Sequence, residues 1–570
     1  MPWIYIGGTQ GAKVAKQVLD ESKRIFIAQD IERVCDQVRD NFVDYIGQVS
    51  LKQPDKVLWY SSPVASKSVS QTTIFQQYVY QKMIGDFIKK NESGGDLLVV
   101  TDSDEFISCS SRIWGNQIKV FGSNWKFYGP LYLTVKARIR LAKYFILWGL
   151  IRFLKNKHLG DCDIVLHSWI DERMFKKASV FSDPYFGNLE EVFLENNHRV
   201  ARMAPLRLRA KDVFYLRRYS PHVIFPAAYL RFSDFIKVFF RKFSVVIPDN
   251  NLTKIKDRKI LDYLLKHEIT KENYLRNFQI YMLWFCAYKN IGKTLKKGIT
   301  FFYPFENQPW EKMLNLALSD FNRIGYQHVT IPRNWLDYRV SSFESQPLPK
   351  FILTSGKEWL LYLNNYYNSA ILKNAGTLRF SYLFTKKKLV NLQGKESIVV
   401  ALPVYSEAAI CLQEQILRAL KNGCFDSSRL IIKPHPHLPK ESQLKNQLLA
   451  YNNCEFSNNN ISSLIEKCKL LITTDSSVIF ESVFSGLKTL YFIPEQFSMG
   501  LEFSLKDHIF IAYEYDFLIK IKDALDSMRY PDAVLEKFFS APSYNTFLEC
   551  LHPEVTEGAQ RWQGGKCFSQ

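Results

Sequence analysis

Short apolar runs alternate with helix-period segments along the first third of the chain. Residues 3–6, 24–28, 56–60, 97–101 and 119–121 read as buried strands. Between several of them, 30–49 and 72–89 carry apolar residues at the spacing of one helix face. Strands alternating with helices predict a parallel sheet covered on both faces, and 163–169 and 199–204 extend the same lobe. From about 210 to 298 the pattern turns helical, aromatic and basic, with 268–294 as one long helix or two abutting ones. A strand follows at 300–305, Trp310 opens a helix to 324, and 328–331 is a further strand. The polar, proline-bearing stretch 341–349 marks a lobe boundary. Beyond it the alternation resumes, with strands at 350–354, 397–402, 429–433, 470–474 and 489–493 and helices at 408–422, 461–468 and 478–485.

The expected architecture is α/β, with two Rossmann-like lobes, 1–340 and 350–530, and a cleft between them. The first lobe carries the helical insertion at about 210–298. A helical tail, 531–570, is long enough to cross back onto the first lobe. Ligands belong at the carboxyl ends of the strands.

Composition narrows the partners. The chain has 570 residues, 47% of them apolar, which supports full-sized cores. Its formal charge of +19 points to a polyanionic partner. No zinc spacing, RNA-binding aromatic signature or long basic block is present, so an anionic membrane or phosphorylated substrate is expected and nucleic acid is not. The ten cysteines are scattered, without a CxxC pair, which fits a reducing compartment. The N-terminal segment reads as strand and turn, not as a signal peptide, and no apolar run reaches the ~20 residues that span a bilayer. The run 144–150 lies in a helix punctuated by Lys136, Arg138, Arg140, Lys143 and Arg152. The expected location is cytoplasmic, peripheral on the inner face of the plasma membrane.

Two motifs in the second lobe carry the chemistry. The segment Ile431-Ile432-Lys433-Pro434-His435-Pro436-His437 runs from a buried strand into a loop with a cation and two imidazoles. The prolines stiffen the backbone on both sides of His435, which can then donate a hydrogen bond to a phosphate oxygen. Further on, the strand 470–474 ends in Asp475-Ser476-Ser477, followed by an apolar helix stopped by Gly486. Ser476 and Ser477 stand where helix N–H groups are free and favour an anion. Glu481 lies one turn in, within reach of ribose hydroxyls.

The pair resembles the His-Pro and Ser-Ser motifs of bacterial sialyltransferases and polysialyltransferases and the corresponding segments of capsule-type Kdo transferases. The run Thr474-Asp475-Ser476-Ser477 is also similar to the Thr-Asp-x-Ser-Ser of transferases that use CDP-glycerol, without the extra residue. The likeness covers 397–494; the remainder resembles these families only in the GT-B architecture. As a whole the chain looks most like bacterial surface-carbohydrate (O-antigen or capsule) biosynthesis proteins. The resemblance implies a glycosyltransferase with a CMP-activated sugar-acid donor, a glycan or lipid-linked glycan acceptor, and no cofactor or metal. His435, Ser476 and Ser477 would hold the donor phosphate and Glu481 the ribose, with Pro436 also at the donor and Lys433 adding positive potential. A CDP-alditol phosphotransferase and a non-catalytic nucleotide- or glycan-binding assembly protein are the alternatives.

In the first lobe, Phe305-Glu306-Asn307-Gln308-Pro309-Trp310-Glu311 follows a strand and opens a helix. Glu306 is the candidate base for an acceptor hydroxyl, with Asn307 and Gln308 orienting the sugar. Asp104, in Asp102-Ser103-Asp104-Glu105, is its rival. His167, with Ser168 and Asp171, is expected on the acceptor side, as is the loop Gly7-Gly8-Thr9-Gln10-Gly11. Finally, Phe232, Phe235, Ile236, Phe239, Phe240 and Phe243 recur at one helical face beside Lys237, Arg241 and Lys242, with Arg217, Arg218 and Arg231 nearby. Such a stripe is expected to lie in a lipid interface.

Overall fold

Runs of β-branched and aromatic residues bounded by turns build three parallel sheets among the described residues. The computed structural model describes residues 1–7, 9–90, 97–115, 118–122, 130–152, 162–169, 183–206, 213, 223–248, 255–385, 396–436, 444–501, 503–527 and 535–551. The first sheet is small: β1 (Trp3–Ile6), β2 (Leu98–Thr101) and β3 (Lys119–Gly122), in that order. The second holds β4 (Ile164–His167), β5 (Val200–Met203), β6 (Val223–Ile224), β7 (Thr300–Pro304), β8 (Asn322–Gln327), β9 (Phe351–Thr354) and β10 (Leu372–Asn374). Its order is β10-β9-β8-β7-β4-β5-β6. The third holds β11 (Ser397–Ala401), β12 (Arg429–Lys433), β13 (Cys454–Phe456), β14 (Cys468–Thr473), β15 (Lys488–Phe492) and β16 (Phe510–Ala512), ordered β13-β12-β11-β14-β15-β16.

Counted from its own first strand, each large sheet reads 3-2-1-4-5-6, the doubly wound Rossmann order, and the first adds a seventh strand. The protein therefore has two Rossmann-like lobes in a GT-B-like arrangement. Each has a switch point where the strand order reverses, at β4/β7 and at β11/β14.

Several expectations need correction. The strands near residues 3, 98 and 119 do not join those at 164 and 200 but form the separate small sheet. Lys56–Tyr60 is a buried helical turn: Asp55 caps it by accepting from Leu58 N at 2.9 Å. A five-residue apolar run has no period that separates strand from buried helix, and the Asp cap is what decided. Residues 24–28 contribute only a bridge from Arg24 to Trp3. Phe351–Thr354 belongs to the first large sheet, paired in parallel with β8, so the second lobe begins at β11 and not near 350. The helix from Trp310 stops at Ala317, and the strand expected at 328–331 lies earlier, at β8.

The helical section expected as an insertion in the first lobe runs as the crossover from β6 to β7. Its two main helices, Arg258–Leu275 and Asn277–Gly292, abut at Arg276, whose left-handed backbone (φ 54°) breaks them. A long buried helix, Ala28–Leu51, joins the small sheet's core to that of the first lobe. At the chain's end, Phe538 and Phe539 pack on Trp359, and Phe547 packs on Tyr326, both in the first lobe. Asn322 Nδ2 donates to Cys550 O at 2.8 Å.

Behind β7 lies a buried ionic layer. Lys67 Nζ and Glu344 Oε2 are 2.8 Å apart with no side-chain exposure at either. Lys312, equally buried, donates to Ser66 Oγ at 3.1 Å, and Gln71 Nε2 donates to Gln308 Oε1 at 2.8 Å. These bonds fasten the segment 61–71 against the helix Pro309–Ala317.

Candidate active site between the lobes

The two second-lobe motifs straddle β11. Ala401 at its end registers with Lys433 of β12 on one side and Thr473 of β14 on the other. They therefore end strands either side of a third, where two successive strands were expected. Lys433 and His435 are half-buried and Pro436 is exposed; His437 lies outside the described residues. Asp475 has a left-handed backbone (φ 39°) and is structural. Its carboxylate accepts from Tyr491 Oη at 2.8 Å and from Met499 N at 3.4 Å. That bend turns the half-buried Ser476 and Ser477 to the start of the helix Val478–Phe484. Ser476 Oγ makes only a long contact with Val478 N, 3.4 Å. The helix has seven residues, so the hydroxyls and loop N–H groups matter more here than its dipole. Glu481 Oε2 accepts from Tyr382 Oη at 2.6 Å and from Ser462 Oγ at 3.0 Å. Both bonds fall on one oxygen and fix the carboxylate's direction.

In the first lobe the loop after β7 is folded by Glu311. At the third position of its helix, this buried carboxylate reaches back to the N–H groups of Glu306 (3.0 Å) and Asn307 (2.7 Å). Asn307 takes a left-handed φ of 58° and points inward, donating to Asp337 O at 2.6 Å and Gln346 Oε1 at 3.1 Å. Gln308 Nε2 donates to Asp337 Oδ1 at 3.2 Å. Both amides are buried in the lobe, so the acceptor-orienting role expected of them gives way to a scaffolding one. His167 is corrected likewise. It is 1% exposed, with Nδ1 at 3.1 Å from Met203 O, Nε2 at 2.7 Å from Tyr288 Oη, and Trp284 stacked on its ring. Burial lowers its pKa to about 3, so it is a neutral core residue. Ser168 Oγ donates to the buried Asp183 at 2.7 Å. Asp171, Arg217, Arg218, Gly8 and the side chain of Asp104 lie outside the described residues.

What remains at the end of β7 is Glu306. Its side chain keeps 21% exposure, yet the burial of its carboxyl raises the pKa to about 7, an effect that Arg379 moderates. His328, one residue beyond β8, puts Nε2 3.6 Å from Glu306 Oε1, beyond hydrogen-bond length. Burial, then Arg379, hold His328 neutral, so the two do not form an ion pair. Across from them stands Tyr405, in the loop after β11. Burial raises its pKa, and so do the charges of Asp475 in its own lobe and of Glu306 and Asp337 in the other. One phenol thus lies near enough to both loops to feel their charges. Sequence reasoning missed Arg379, His328 and Tyr405. His328 was hidden because β8 was not read, whereas Tyr405 and Arg379 lie in loops after β11 and β10 with no motif to mark them.

The small sheet meets the same junction. A side chain at Gly7 would collide with the Asp102 carboxylate, so the tight loop after β1 requires glycine there. Tyr5, beside Asp102, also feels Glu407 of the second lobe. Among the described residues no group of three or more His, Cys, Asp or Glu side chains gathers as a metal site.

No protein-family profile and no curated protein sequence matches the chain. Solved structures with a related course include MurG of Acinetobacter baumannii (10% identity, 68% of this chain and 99% of that one, TM-score 0.37). The UDP-GlcNAc 2-epimerase of Methanocaldococcus jannaschii gives 8% identity, 68% and 99% coverage and a TM-score of 0.40. The glycotransferase of kitacinnamycin gives 9%, 68% and 99%, and 0.39. With TM-scores below 0.5 they carry no argument, and the architecture rests on the strand orders above.

Proposed function

We propose that the protein is a glycosyltransferase that moves a 2-keto-3-deoxy sugar acid, of Kdo or nonulosonate type, from a CMP-activated donor to a surface-glycan precursor. The observation that carries the reading is Glu306. It is a carboxyl at the first lobe's switch point, with a pKa raised to about 7, across from the second lobe's phosphate-type loops. A base is most useful when its pKa lies near the working pH. The acceptor hydroxyl attacks the anomeric carbon, the bond from that carbon to the phosphate oxygen breaks, and CMP leaves. Glu306 takes the hydroxyl proton. Ser476, Ser477, His435 and Lys433 receive the charge on the departing phosphate, and Arg379 adds a cation from the first lobe. Glu481, steered by Tyr382 and Ser462, turns its other oxygen to the ribose. No metal is required in this reading. Asp104 stands as the rival base.

The donor assignment rests on the resemblance of the His-Pro and Ser-Ser motifs, and a screen of nucleotides by thermal shift tests it. A ligand at about a hundred times its Kd adds roughly 2.7 kcal/mol, a shift that is readily measured. CMP and CDP are expected to stabilise the protein more than uridine, guanosine or adenosine nucleotides. Stronger protection by UDP sinks the cytidine assignment and leaves the transferase reading standing. Product analysis with CMP-sugar against CDP-glycerol separates sugar transfer from alditol-phosphate transfer. Binding without turnover on any acceptor favours a non-catalytic assembly role.

A further inference from the structure

The helix Pro130–Ile151 links the small sheet to the first lobe and turns an apolar stripe to solvent. Leu131, Val135, Ile139, Ile146 and Leu150 fall within about 100° of one another around its axis. All five are exposed, Leu131 by 78% and Ile146 by 61%, while Ala137, Leu141 and Tyr144 on the other side are buried. At ~1.5 Å per residue the stripe runs for roughly 28 Å.

A second helix, Phe232–Phe240, packs antiparallel along one edge of that stripe. The Arg138 guanidinium lies 3.6 Å from the Phe239 ring centre and donates to Phe239 O at 3.0 Å. Phe145 meets Phe235 edge-on at 5.3 Å, and Trp148 Nε1 donates to Leu230 O at 2.9 Å. The six-residue aromatic stripe read from the sequence is thereby divided. Phe235 and Phe243 are buried against the lobe, whereas Phe232, Ile236, Phe239 and Phe240 are exposed, Phe240 by 75%. Together the two helices present one apolar face, most of it on the helix the aromatic pattern did not mark.

On the two helices the charges around that face are basic, and Asp55, which meets the end of the second helix, is paired with Arg241. Lys136 and Lys143 border the far edge of the stripe, Lys237 lies on the second helix, and Lys242 follows just past its end. No acidic residue occurs from Pro130 to Arg152. The one carboxylate of the second helix, Asp234, is held by Arg231 N at 2.8 Å and Asn290 Nδ2 at 3.0 Å. A second copy docked by two-fold symmetry would set this basic rim against itself. A sheet of anionic headgroups over acyl chains complements both the rim and the stripe. Among the described residues no helix is long and apolar enough to cross a membrane, so the fitting geometry is in the plane of the surface.

We propose that the helices Pro130–Ile151 and Phe232–Phe240 form a docking face for an anionic lipid bilayer. The face lies on the acceptor side. Helix Phe232–Phe240 leaves the carboxyl end of β6, and Glu306 leaves the same end of β7, three strand positions away, or roughly 14 Å. An acceptor carried on a lipid would then reach Glu306 from the membrane plane; this last step rests on the transferase reading, the docking itself does not.

The test is sedimentation of the full chain with vesicles of phosphatidylglycerol and phosphatidylethanolamine, against pure phosphatidylcholine. The wild type is expected to pellet with the anionic vesicles and to be released by high salt. Ile139→Glu with Ile146→Glu is expected to cut the bound fraction at least tenfold, and Leu361→Glu, at an exposed leucine elsewhere, to leave it unchanged. Lys136→Glu with Lys143→Glu spares the apolar stripe and is expected to abolish the preference for anionic lipid. Equal pelleting of wild type and both double variants overturns the proposal. So does a wild-type dimer in sedimentation velocity that the Ile139/Ile146 variant dissolves while vesicle binding persists. Nucleotide protection measured on the same proteins keeps the two readings apart, because docking variants leave it intact whatever the reaction is.

Discussion

Glu306→Gln is expected to lower turnover by roughly 10²–10⁴-fold, the loss typical of a missing general base, with nucleotide affinity nearly unchanged. Glutamine keeps the shape at the end of β7 and cannot take a proton. The loop itself survives the change, because its fold depends on Glu311 and the backbone of Glu306, not on the Glu306 carboxyl. A pH profile adds a second readout. A base works in its deprotonated form, so kcat/KM of the wild type climbs with pH through about 7, the value to which burial raises Glu306. That limb is absent from the variant. His435→Ala is expected to behave differently, losing turnover and nucleotide protection together, because the proposed reaction places it at the donor phosphate. Near-normal turnover in Glu306→Gln removes this residue from the mechanism and makes Asp104 the next to test.

The largest loss of stability is expected at the buried pair Lys67–Glu344. Lys67→Met strips the charge from one partner and leaves the enclosed Glu344 carboxylate without its direct ion pair, with Lys312 the remaining cation of the layer, at a cost of about 3–5 kcal/mol. Lys67 already holds a left-handed φ of 56°, and methionine has a similar unbranched stem, so backbone strain does not change. Adding Glu344→Leu is expected to recover most of the loss, because two apolar groups need no pairing. Denaturant unfolding of the single and double variants decides the matter. A double variant no better than the single would assign the loss to packing. The layer lies directly behind the helix Pro309–Ala317, so the single variant also disturbs the Glu306 loop, and its activity falls together with its stability.

Four strands of the second lobe were legible because they announce themselves, whereas the three-residue β13 and β16 were not read. Arg429–Lys433 and Ser397–Ala401 are apolar runs with clean turns, and both motifs sit at strand ends as their spacing implied. The first lobe was harder for a physical reason. β8, Asn-Arg-Ile-Gly-Tyr-Gln, is fully buried yet half polar. Asn322 bonds Thr300 and Cys550, and Arg323 donates to the carbonyls of Asn315 and Leu348. A hydropathy pattern has no way to register polar groups satisfied by partners far along the chain. Missing that strand misbounded the helix before it and hid His328 at its end. The same limit explains Asn307 and His167. Both residue types suit a sugar site, and only tertiary contacts reveal that their bonding capacity is used inside the lobe.

The bend at Asp475 has a reach beyond its own loop. Its carboxylate holds Met499 N; Met499 O in turn accepts from Asn334 N at 2.8 Å, and Arg39 holds the Asn334 amide at 2.9 Å. The turn that presents Ser476 and Ser477 is thus moored to the opposite lobe by consecutive bonds. Any molecule that reshapes this turn pulls on residues 332–335, and anything seated on the first lobe that shifts those residues pulls back. Linkage makes that exchange symmetric: the factor by which one occupant alters the affinity of the other is the same in both directions. Order of arrival then changes the route through the cycle but not its total free energy, and under the transferase proposal an empty first lobe is expected to leave this turn with a different affinity for nucleotide from a filled one.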